Sequence, residues 1–163
     1  MILVVMGVSG CGKSSAGQAI ASSLSWAFIE GDDLHPPENR SKMSAGVPLD
    51  DADRWPWLDS IAMNAGASEC GGRSVVVACS ALKQVYRDRL ARAGGDVRFV
   101  HLTGDPFIIA QRMRARRNHF MPSGLLQSQL ATLEPPPPGE RVCVIDLALS
   151  VEEIAARAVR WIG

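Results

Sequence analysis

The segment Gly7–Ser14 reads G-V-S-G-C-G-K-S and directly follows the apolar run Ile2–Met6. It fits the pattern G-x-x-x-x-G-K-[ST], in which a glycine-rich loop joins a buried strand to the start of a helix. Backbone N–H groups of such a loop point at phosphate oxygens, and the positive end of the helix strengthens that attraction. The chain must therefore fold with a strand, this loop and a helix in succession. The pattern predicts that a nucleoside triphosphate binds at the loop.

The residue types within the loop predict separate roles. Lys13 is expected to act in catalysis by reaching the β- and γ-phosphates of the bound nucleotide, and the Ser14 hydroxyl is expected to bind Mg²⁺. The other candidates for nucleotide binding are Gly7, Ser9, Gly10, Cys11, Gly12 and Ser15. Two interpretations of Cys11 are open: a reactive thiol favoured by the helix N-terminus, or a small residue that fills space.

Composition argues against several other classes of protein. The 163 residues suffice for one domain, spanning 1–163, with a sizeable core. The 17 basic and 17 acidic residues balance, which argues against a nucleic-acid partner. No stretch approaches the ~20 apolar residues of a membrane span, and because the first strand is predicted to start at Ile2, no signal peptide is expected. A cytoplasmic protein with reduced thiols is expected, since the four cysteines lack C-x-x-C spacing.

Apolar runs alternate with helical patterns along the whole chain, which predicts a three-layer αβα fold around a five-stranded parallel sheet. The predicted strands are Ile2–Met6, Ala27–Glu30, Ser74–Ala78, Arg98–Leu102 and Val142–Asp146. The predicted helices are Lys13–Leu24, Trp57–Ala67, Lys83–Ala93, Pro106–Arg116, Gly124–Leu133 and Val151–Ile162. Ligands of such sheets bind beyond the carboxyl ends of the strands, so the segments that follow the strands are the candidates for the site.

Two long polar segments interrupt this alternation. The first begins at Gly31, after the second strand, and the second, at 117–138, contains Arg, His and a run of four prolines. Long irregular segments inside a domain of this size are usually functional. The segment at about 31–58 is therefore expected to bind the acceptor, and the segment at about 117–138 to form a mobile lid.

Two classes of phosphate-loop protein must be separated: nucleotide switches or motors, and small-molecule kinases. The guanine-reading sequence N-K-x-D does not occur, and the third strand runs into Cys79-Ser80 without the carboxylate that most motors use to hold magnesium. Acidic residues follow the second strand instead, in Glu30-Gly31-Asp32-Asp33. This arrangement favours a kinase in which Asp32 anchors the acceptor hydroxyl and acts as the base. The alternative for Asp32 is a turn or helix-cap role.

The chain resembles the gluconate kinase family over a single register from about residue 2 to the C-terminus. The most specific stretch contains Gly31-Asp32-Asp33-Leu34-His35-Pro36, Asn39, Lys42-Met43, Gly46, Pro48-Leu49, Asp53-Arg54 and Pro56-Trp57-Leu58. Further matches are Cys79-Ser80-Ala81-Leu82-Lys83, Tyr86-Arg87-Asp88, His119-Phe120, Leu125-Leu126, Ser128-Gln129 and Thr132-Leu133-Glu134. Two departures are Cys11, where the family usually has Ser, and Pro122 close to the His-Phe pair.

The resemblance implies ATP-dependent phosphorylation of D-gluconate at its 6-hydroxyl, which gives 6-phosphogluconate. It also implies a fold like that of the nucleoside-monophosphate kinases, related to shikimate kinase, and a homodimer. Two competing interpretations are a kinase for another small polyol acid, such as shikimate, and a catalytically idle ATP-binding module.

Gluconate carries one carboxylate and a row of hydroxyls, so its site needs a cation and several hydrogen-bonding groups. Arg54 is the candidate for the carboxylate, because its planar guanidinium can bind one through two hydrogen bonds. The alternative is that Arg54 pairs with a neighbouring acidic residue: Asp50, Asp51 or Asp53. Further substrate-binding candidates are Asp32, His35, Lys42, Ser80, Lys83 and Arg87. For His35 and Lys42 the alternative is a solvated loop position, and for Lys83 and Arg87 it is an exposed position on a helix.

Two arginines near the predicted lid complete the candidate set. Arg112 and Arg116 lie four residues apart and share one face of their predicted helix. In related kinases the first arginine of such a pair stacks on adenine, and the later one approaches the transferring phosphoryl group. The resemblance therefore assigns Arg112 to the nucleotide and Arg116 to catalysis, where a fixed guanidinium stabilises developing charge. A solvated basic helix end is the alternative.

Overall fold

The computed structural model describes residues 1–115, 123–137, 139 and 141–163. Its strands are β1 (Ile2–Met6), β2 (Ala27–Glu30), β3 (Val75–Ala78), β4 (Val97–Thr103) and β5 (Val142–Asp146). The α-helices among these residues are α1 (Lys13–Leu24), α2 (Pro37–Ser44), α3 (Asp51–Cys70), α4 (Gln84–Leu90), α5 (Pro106–Ala115), α6 (Ser123–Thr132) and α7 (Val151–Ile162).

All five strands run parallel in one sheet, in the order β2-β3-β1-β4-β5. The central strand β1 pairs with β3 on one side and with β4 on the other, so Ile2 lies opposite both Val75 and Val97. Every residue of β1 and β3 is buried, which agrees with their unbroken apolar runs. The predicted five-stranded parallel sheet is confirmed.

Helices cover both faces of the sheet and divide the core in two. On one face, Ile20 of α1, Ile109 of α5 and Ile154 of α7 pack against alternate residues of the strands. On the other face, Trp57 of α3 and Tyr86 of α4 pack against the remaining strand residues. The two layers hold the carboxyl ends of β1, β2 and β3 together at one edge of the sheet, where the phosphate loop begins.

Helix α3 begins at Asp51 rather than at the predicted Trp57. Its start is set by a capping box, in which the Asp50 carboxylate accepts a hydrogen bond from Asp53 N–H and the Asp53 carboxylate accepts one from Asp50 N–H. Pro56 lies inside the helix, on its exposed side. The longer helix carries Arg54 one turn into a rigid element.

The polar segment after β2 is helical rather than irregular. A short 3-10 helix spans Gly31–Leu34, and α2 follows with Pro37 in its first turn. The predicted helix from Lys83 to Ala93 is α4 followed by a 3-10 turn at Ala91–Ala93. Arg116 and much of the predicted lid, 117–122 and 138, lie outside the described residues. In the described part of the chain, no helix is both long and apolar enough to cross a membrane.

Candidate active site

The phosphate loop joins β1 to α1 through a backbone that only glycine adopts without strain. Gly7 has a φ of +142°, and a Cβ there would lie 2.6 Å from the carbonyl oxygen of Leu102. Helix α1 begins at Lys13 with Gly12 as its N-cap, and no side chain of the described residues caps it. Its first turn contains no acidic residue. The N–H groups there suit a phosphate, as the motif predicts.

Two hydrogen bonds involve residues of the phosphate loop. The Lys13 ammonium donates to the Val8 carbonyl at 3.0 Å, which lays the side chain across the loop. The Ser9 N–H donates to Oε1 of Gln129 at 2.6 Å. Gln129 lies on α6, so this helix contacts the phosphate loop directly. Gln129 was absent from the predicted site residues, although Ser128-Gln129 is among the matches to the gluconate kinase family; its partner Ser9 lies 120 residues away in the sequence.

Helix α5 lies beside the loop and brings Arg112 to it. A carbon at the Cβ position of Gly12 would lie 3.9 Å from Nη1 of Arg112. A Cβ atom at Gly10 would lie 2.6 Å from Cγ of Met113. The guanidinium of Arg112 therefore adjoins the phosphate loop.

The end of β2 presents Asp32 at the same edge of the sheet. Gly31 packs so closely on β3 that a Cβ would lie 2.3 Å from the carbonyl oxygen of Ala78. The Glu30 carboxylate accepts a hydrogen bond from Asp32 N–H at 3.5 Å and so caps the 3-10 turn. The Asp32 side chain is 71% exposed. The turn therefore fixes the backbone of Asp32, and its carboxylate is open to a ligand.

A small cavity of about 60 Å³ brings together Lys13 and Asp32, two of the three residues predicted to act in catalysis. We call it the small cavity, and its lining is Ser9, Lys13, Asp32, His35, Met43, Val47, Leu49, Arg54, Trp57, Ser80 and Gln129. Phosphate-loop residues, the Asp32 carboxylate and the Arg54 guanidinium thus face one space. The lining contains five of the residues that the sequence assigned to catalysis or substrate binding: Lys13, Asp32, His35, Arg54 and Ser80.

A second cavity adjoins the first and is much larger, at about 500 Å³. This large cavity is lined by Pro48, Leu49, Asp50, Asp51, Ala52, Arg54, Leu82, Lys83, Tyr86, Ser128, Gln129 and Thr132. Leu49, Arg54 and Gln129 line both cavities, so the two spaces form one cleft between α3, α4 and α6. The cleft has room for a chain-like acceptor that extends away from the phosphate loop.

The acidic neighbours of Arg54 are bound elsewhere. Asp53 accepts two hydrogen bonds from the Lys42 ammonium, at 2.6 and 2.8 Å, and Asp51 accepts from Lys83 and from the Tyr86 hydroxyl. These donors lower the pKa of both carboxyls. Arg54 forms no salt bridge with any described residue, and its guanidinium carbon lies 5.7 Å from the centre of the Tyr86 ring. The alternative that Arg54 pairs with Asp50, Asp51 or Asp53 is not what the structure shows.

Two predicted substrate contacts, Lys42 and Arg87, line neither cavity. Lys42 is paired with Asp53, and this pairing raises its pKa. Arg87 is buried, and its guanidinium donates to the carbonyls of Ala81 and Leu82. Buried carbonyls of the turn after β3 need donors, and Arg87 supplies them. The prediction that Arg87 faces the ligand is therefore corrected to a structural role, whereas Lys83 does line the large cavity.

The cysteines are all free thiols. Cys11 is fully buried behind the phosphate loop, which agrees with the interpretation that it fills space. Burial raises the pKa of Cys79 to about 12, so its thiol stays protonated.

A phosphate loop at the end of a central parallel strand, facing a carboxylate and an arginine across a cleft, defines this molecule as a phosphate-loop kinase of small molecules. The family model for shikimate kinase matches residues 9–134. A gluconokinase of Gluconobacter oxydans (strain 621H) is 48% identical over 140 residues, covering 86% of this chain and 79% of that protein. The thermoresistant gluconokinase of Escherichia coli (strain K12) is 40% identical over 162 residues, covering 99% of this chain and 93% of that protein.

Structural similarity agrees with the sequence matches. The crystal structure of a gluconokinase from Sinorhizobium meliloti 1021 superposes with a TM-score of 0.89 at 50% identity, covering 98% of this chain and 89% of that one. The chain belongs to the gluconokinase family. The predicted resemblance is thereby confirmed.

Proposed function

We propose that this protein transfers the γ-phosphoryl group of ATP to the 6-hydroxyl of D-gluconate, giving 6-phospho-D-gluconate and ADP. The observation that carries the proposal is the small cavity, in which Lys13, Asp32 and Arg54 face one another. The relatives described above are gluconokinases, which supports the choice of acceptor. A homodimer in the cytoplasm is part of the same proposal.

The phosphate loop is the part of the site that fits ATP and Mg²⁺. Its N–H groups and the uncapped start of α1 suit the phosphates, and Ser14 lies in the first turn with a hydroxyl suited to Mg²⁺. When bound, the ion neutralises charge on the phosphates. Lys13 leaves the Val8 carbonyl to bind phosphate oxygens, and Arg112 binds the nucleotide from α5. Arg116, outside the described residues, is proposed to stabilise the charge that develops during transfer.

Asp32 is the residue that handles the acceptor hydroxyl. It lines the same cavity as Lys13, so a hydroxyl bound to its carboxylate would be close to the phosphate loop. The carboxylate orients the oxygen of the 6-hydroxyl and accepts its proton as the O–P bond forms. The chain thus supplies positioning and a proton acceptor, which are the main demands of phosphoryl transfer.

Arg54 is the residue that recognises the acid end of the acceptor. It lines both cavities and has no ionic partner among the described residues, so its guanidinium is available for a carboxylate. Gluconate is a linear six-carbon acid, and it would extend from Asp32 in the small cavity into the large one. Ser80, His35 and Lys83 line these cavities and would donate to its hydroxyls.

The acceptor is tested by measuring ADP release from ATP and Mg²⁺ with D-gluconate, shikimate, other sugar acids and glucose. We expect strong release with gluconate and little with the others. Shikimate is the second candidate, because the matching family model is that of shikimate kinase. Release with shikimate instead would overturn the proposed acceptor. Binding of ATP without release for any acceptor would indicate an idle ATP-binding module. Light scattering of the same preparation tests the homodimer.

A further inference from the structure

We infer that Asn39 is a positioning residue that holds His35 in its Nε2–H tautomer, so that a neutral imidazole presents an N–H donor beside Asp32. The inference rests on the proposed function for its consequence in catalysis, but the tautomer itself can be measured without any substrate. Asn39 lies on α2 and is only 3% exposed. Asn39 lines neither cavity, whereas His35 lines the small one, so the effect of Asn39 passes through His35.

The orientation of the Asn39 amide follows from its partners. Its Nδ2 donates to the backbone carbonyl of Asp53 at 2.8 Å, and a carbonyl oxygen can only accept. The nitrogen end of the amide must therefore face Asp53. The same Nδ2 lies 3.3 Å from Nδ1 of His35. Because an amide nitrogen only donates, Nδ1 of His35 must be the acceptor in this pair and carries no proton.

The single proton of the neutral ring then lies on Nε2. Burial lowers the pKa of His35 to about 4, outweighing the opposite effect of Asp32, so the ring is neutral near pH 7. Nε2 is the ring nitrogen that faces Asp32, at 3.9 Å from Oδ1. This distance is too long for a direct hydrogen bond. A hydroxyl oxygen between them can accept from Nε2–H while donating to the carboxylate.

The ring has little freedom to turn away from this arrangement. His35 stacks on Trp57 with ring centres 4.1 Å apart and planes 12° from parallel. The Trp57 indole N–H donates to the Gly31 carbonyl at 2.7 Å, which ties the stack to the turn that carries Asp32. The stacked ring and the Asn39 contact together fix both the plane of the imidazole and the nitrogen that bears the proton.

The consequence is a donor without a positive charge next to the proposed base. A protonated histidine would stabilise the ionised carboxylate and so weaken Asp32 as a proton acceptor. A neutral Nε2–H orients the acceptor hydroxyl with a much smaller effect of this kind. The other tautomer would present a lone pair toward Asp32, and the hydroxyl would then have two acceptors and no donor.

The test compares Asn39→Asp with the matched variant Asn64→Asp, which makes the same change at an exposed position of α3. Aspartate cannot donate to Nδ1, so it favours a proton there. Histidine ¹⁵N NMR of the free protein reports the tautomer, and loss of one signal set in His35→Gln assigns His35 among the three histidines. We expect Nε2–H in the wild type and in Asn64→Asp, and a protonated Nδ1 in Asn39→Asp.

Activity gives the second readout. We expect Asn39→Asp to lower kcat about tenfold with an unchanged KM for ATP, as loss of one oriented hydrogen bond implies. His35→Gln keeps an N–H donor near the position of Nε2 and should retain more activity than His35→Leu. A wild-type spectrum with the proton on Nδ1 would overturn the inference, even if Asn39→Asp does not fold. An Nε2–H spectrum together with no gluconate phosphorylation would count against the proposed function alone.

Discussion

Asp32 and Asp51 show how differently two carboxylates can be held at one cleft. Asp51 accepts hydrogen bonds from Lys83 and Tyr86, which leaves it bound within the protein. Asp32 has a side chain that is 71% exposed, and Nε2 of the neutral His35 ring lies 3.9 Å from its carboxylate. A carboxylate that must take a proton from a substrate needs the second kind of environment. Asp32 therefore meets the requirement that Asp51 does not.

Replacing this carboxylate tests its role as base. Asp32→Asn should lower kcat with gluconate by about 100-fold or more, because general-base catalysis contributes on this order. The affinity for ATP should be nearly unchanged, since the phosphate loop is intact. Steady-state kinetics and nucleotide-binding titration measure the two effects. The neighbouring Asp33→Asn is the control and should behave as wild type. Normal turnover in Asp32→Asn would remove it from the role of base.

Arg54 is proposed to bind the acceptor carboxylate. Arg54→Leu should raise the KM for gluconate by about 10- to 100-fold, as expected for loss of a charge-assisted hydrogen bond. The KM for ATP should change little. Arg89→Leu is the matched control, because Arg89 pairs with Asp59 farther along α3. Equal values of KM for gluconate in the two variants would contradict the assignment.

At the residue scale, sequence analysis identified candidate residues that belong to a recognisable motif or follow a predicted strand. Lys13 follows from the phosphate loop, and Asp32 from its place after β2. Arg87 was misplaced, because periodicity does not tell whether a basic side chain on a short helix turns inward to buried carbonyls. Gln129 was missed because its contact with Ser9 depends on tertiary packing.

The N-terminus of helix α3 forms one wall of the cleft. Its capping box links Asp50 and Asp53, and Asp53 also binds Lys42 of α2. The cap therefore determines where Arg54 emerges. The sequence did not reveal this start, because the box is Asp-x-x-Asp rather than the usual Ser or Thr with Glu.

Comparing substitutions at two helix caps separates the effect on the stability of the protein from the effect on the KM for gluconate. Asp50→Ala and Ser150→Ala each remove the N-cap of a capping box, on α3 and α7 respectively. Each should lower the free energy of unfolding by about 1 kcal/mol, measured by urea titration. Only Asp50→Ala should also raise the KM for gluconate. A similar rise in Ser150→Ala would show that general destabilisation, not the position of α3, is responsible.

The whole molecule should lose stability as the pH falls below 6.5, because two buried histidines are held neutral. Burial lowers the pKa of His35 from 6.5 to about 4 and lowers that of His101 as well. Between pH 6.5 and 4 the unfolded chain binds protons that the folded chain does not. Acidification therefore favours unfolding in this range, and stability returns as the pH rises through 6.5.

His35→Gln isolates one of these contributions. Between pH 7 and pH 5 the wild type should lose about 2 kcal/mol more of its free energy of unfolding than the variant does. Urea titration at both pH values measures the difference. Aspartates with lowered pKa, such as Asp51 and Asp59, add a loss in the same direction at lower pH, which is why pH 5 is the limit. Equal pH dependence in both proteins would show that His35 is not held neutral.

At this scale the alternation of apolar runs and helical patterns was sufficient to predict the parallel sheet and its two covering layers. The bounds of β1, β2, β5, α1 and α7 agree with those predicted. The strand order and the helical nature of residues 31–44 did not follow from the pattern, because they depend on long-range pairing and on caps. The phosphate-loop motif and the alternation of strands and helices predict the class of fold, whereas the shape of the cleft depends on how the helices pack.

The most direct test of the proposed reaction is ³¹P NMR of the product formed from ATP, Mg²⁺ and D-gluconate. Transfer to the 6-hydroxyl predicts a new phosphomonoester whose phosphorus couples to the two protons of a CH₂ group, giving a triplet. A doublet would place the phosphate on a secondary hydroxyl and contradict the position. Absence of any new phosphomonoester, with ATP bound, would contradict the account as a whole.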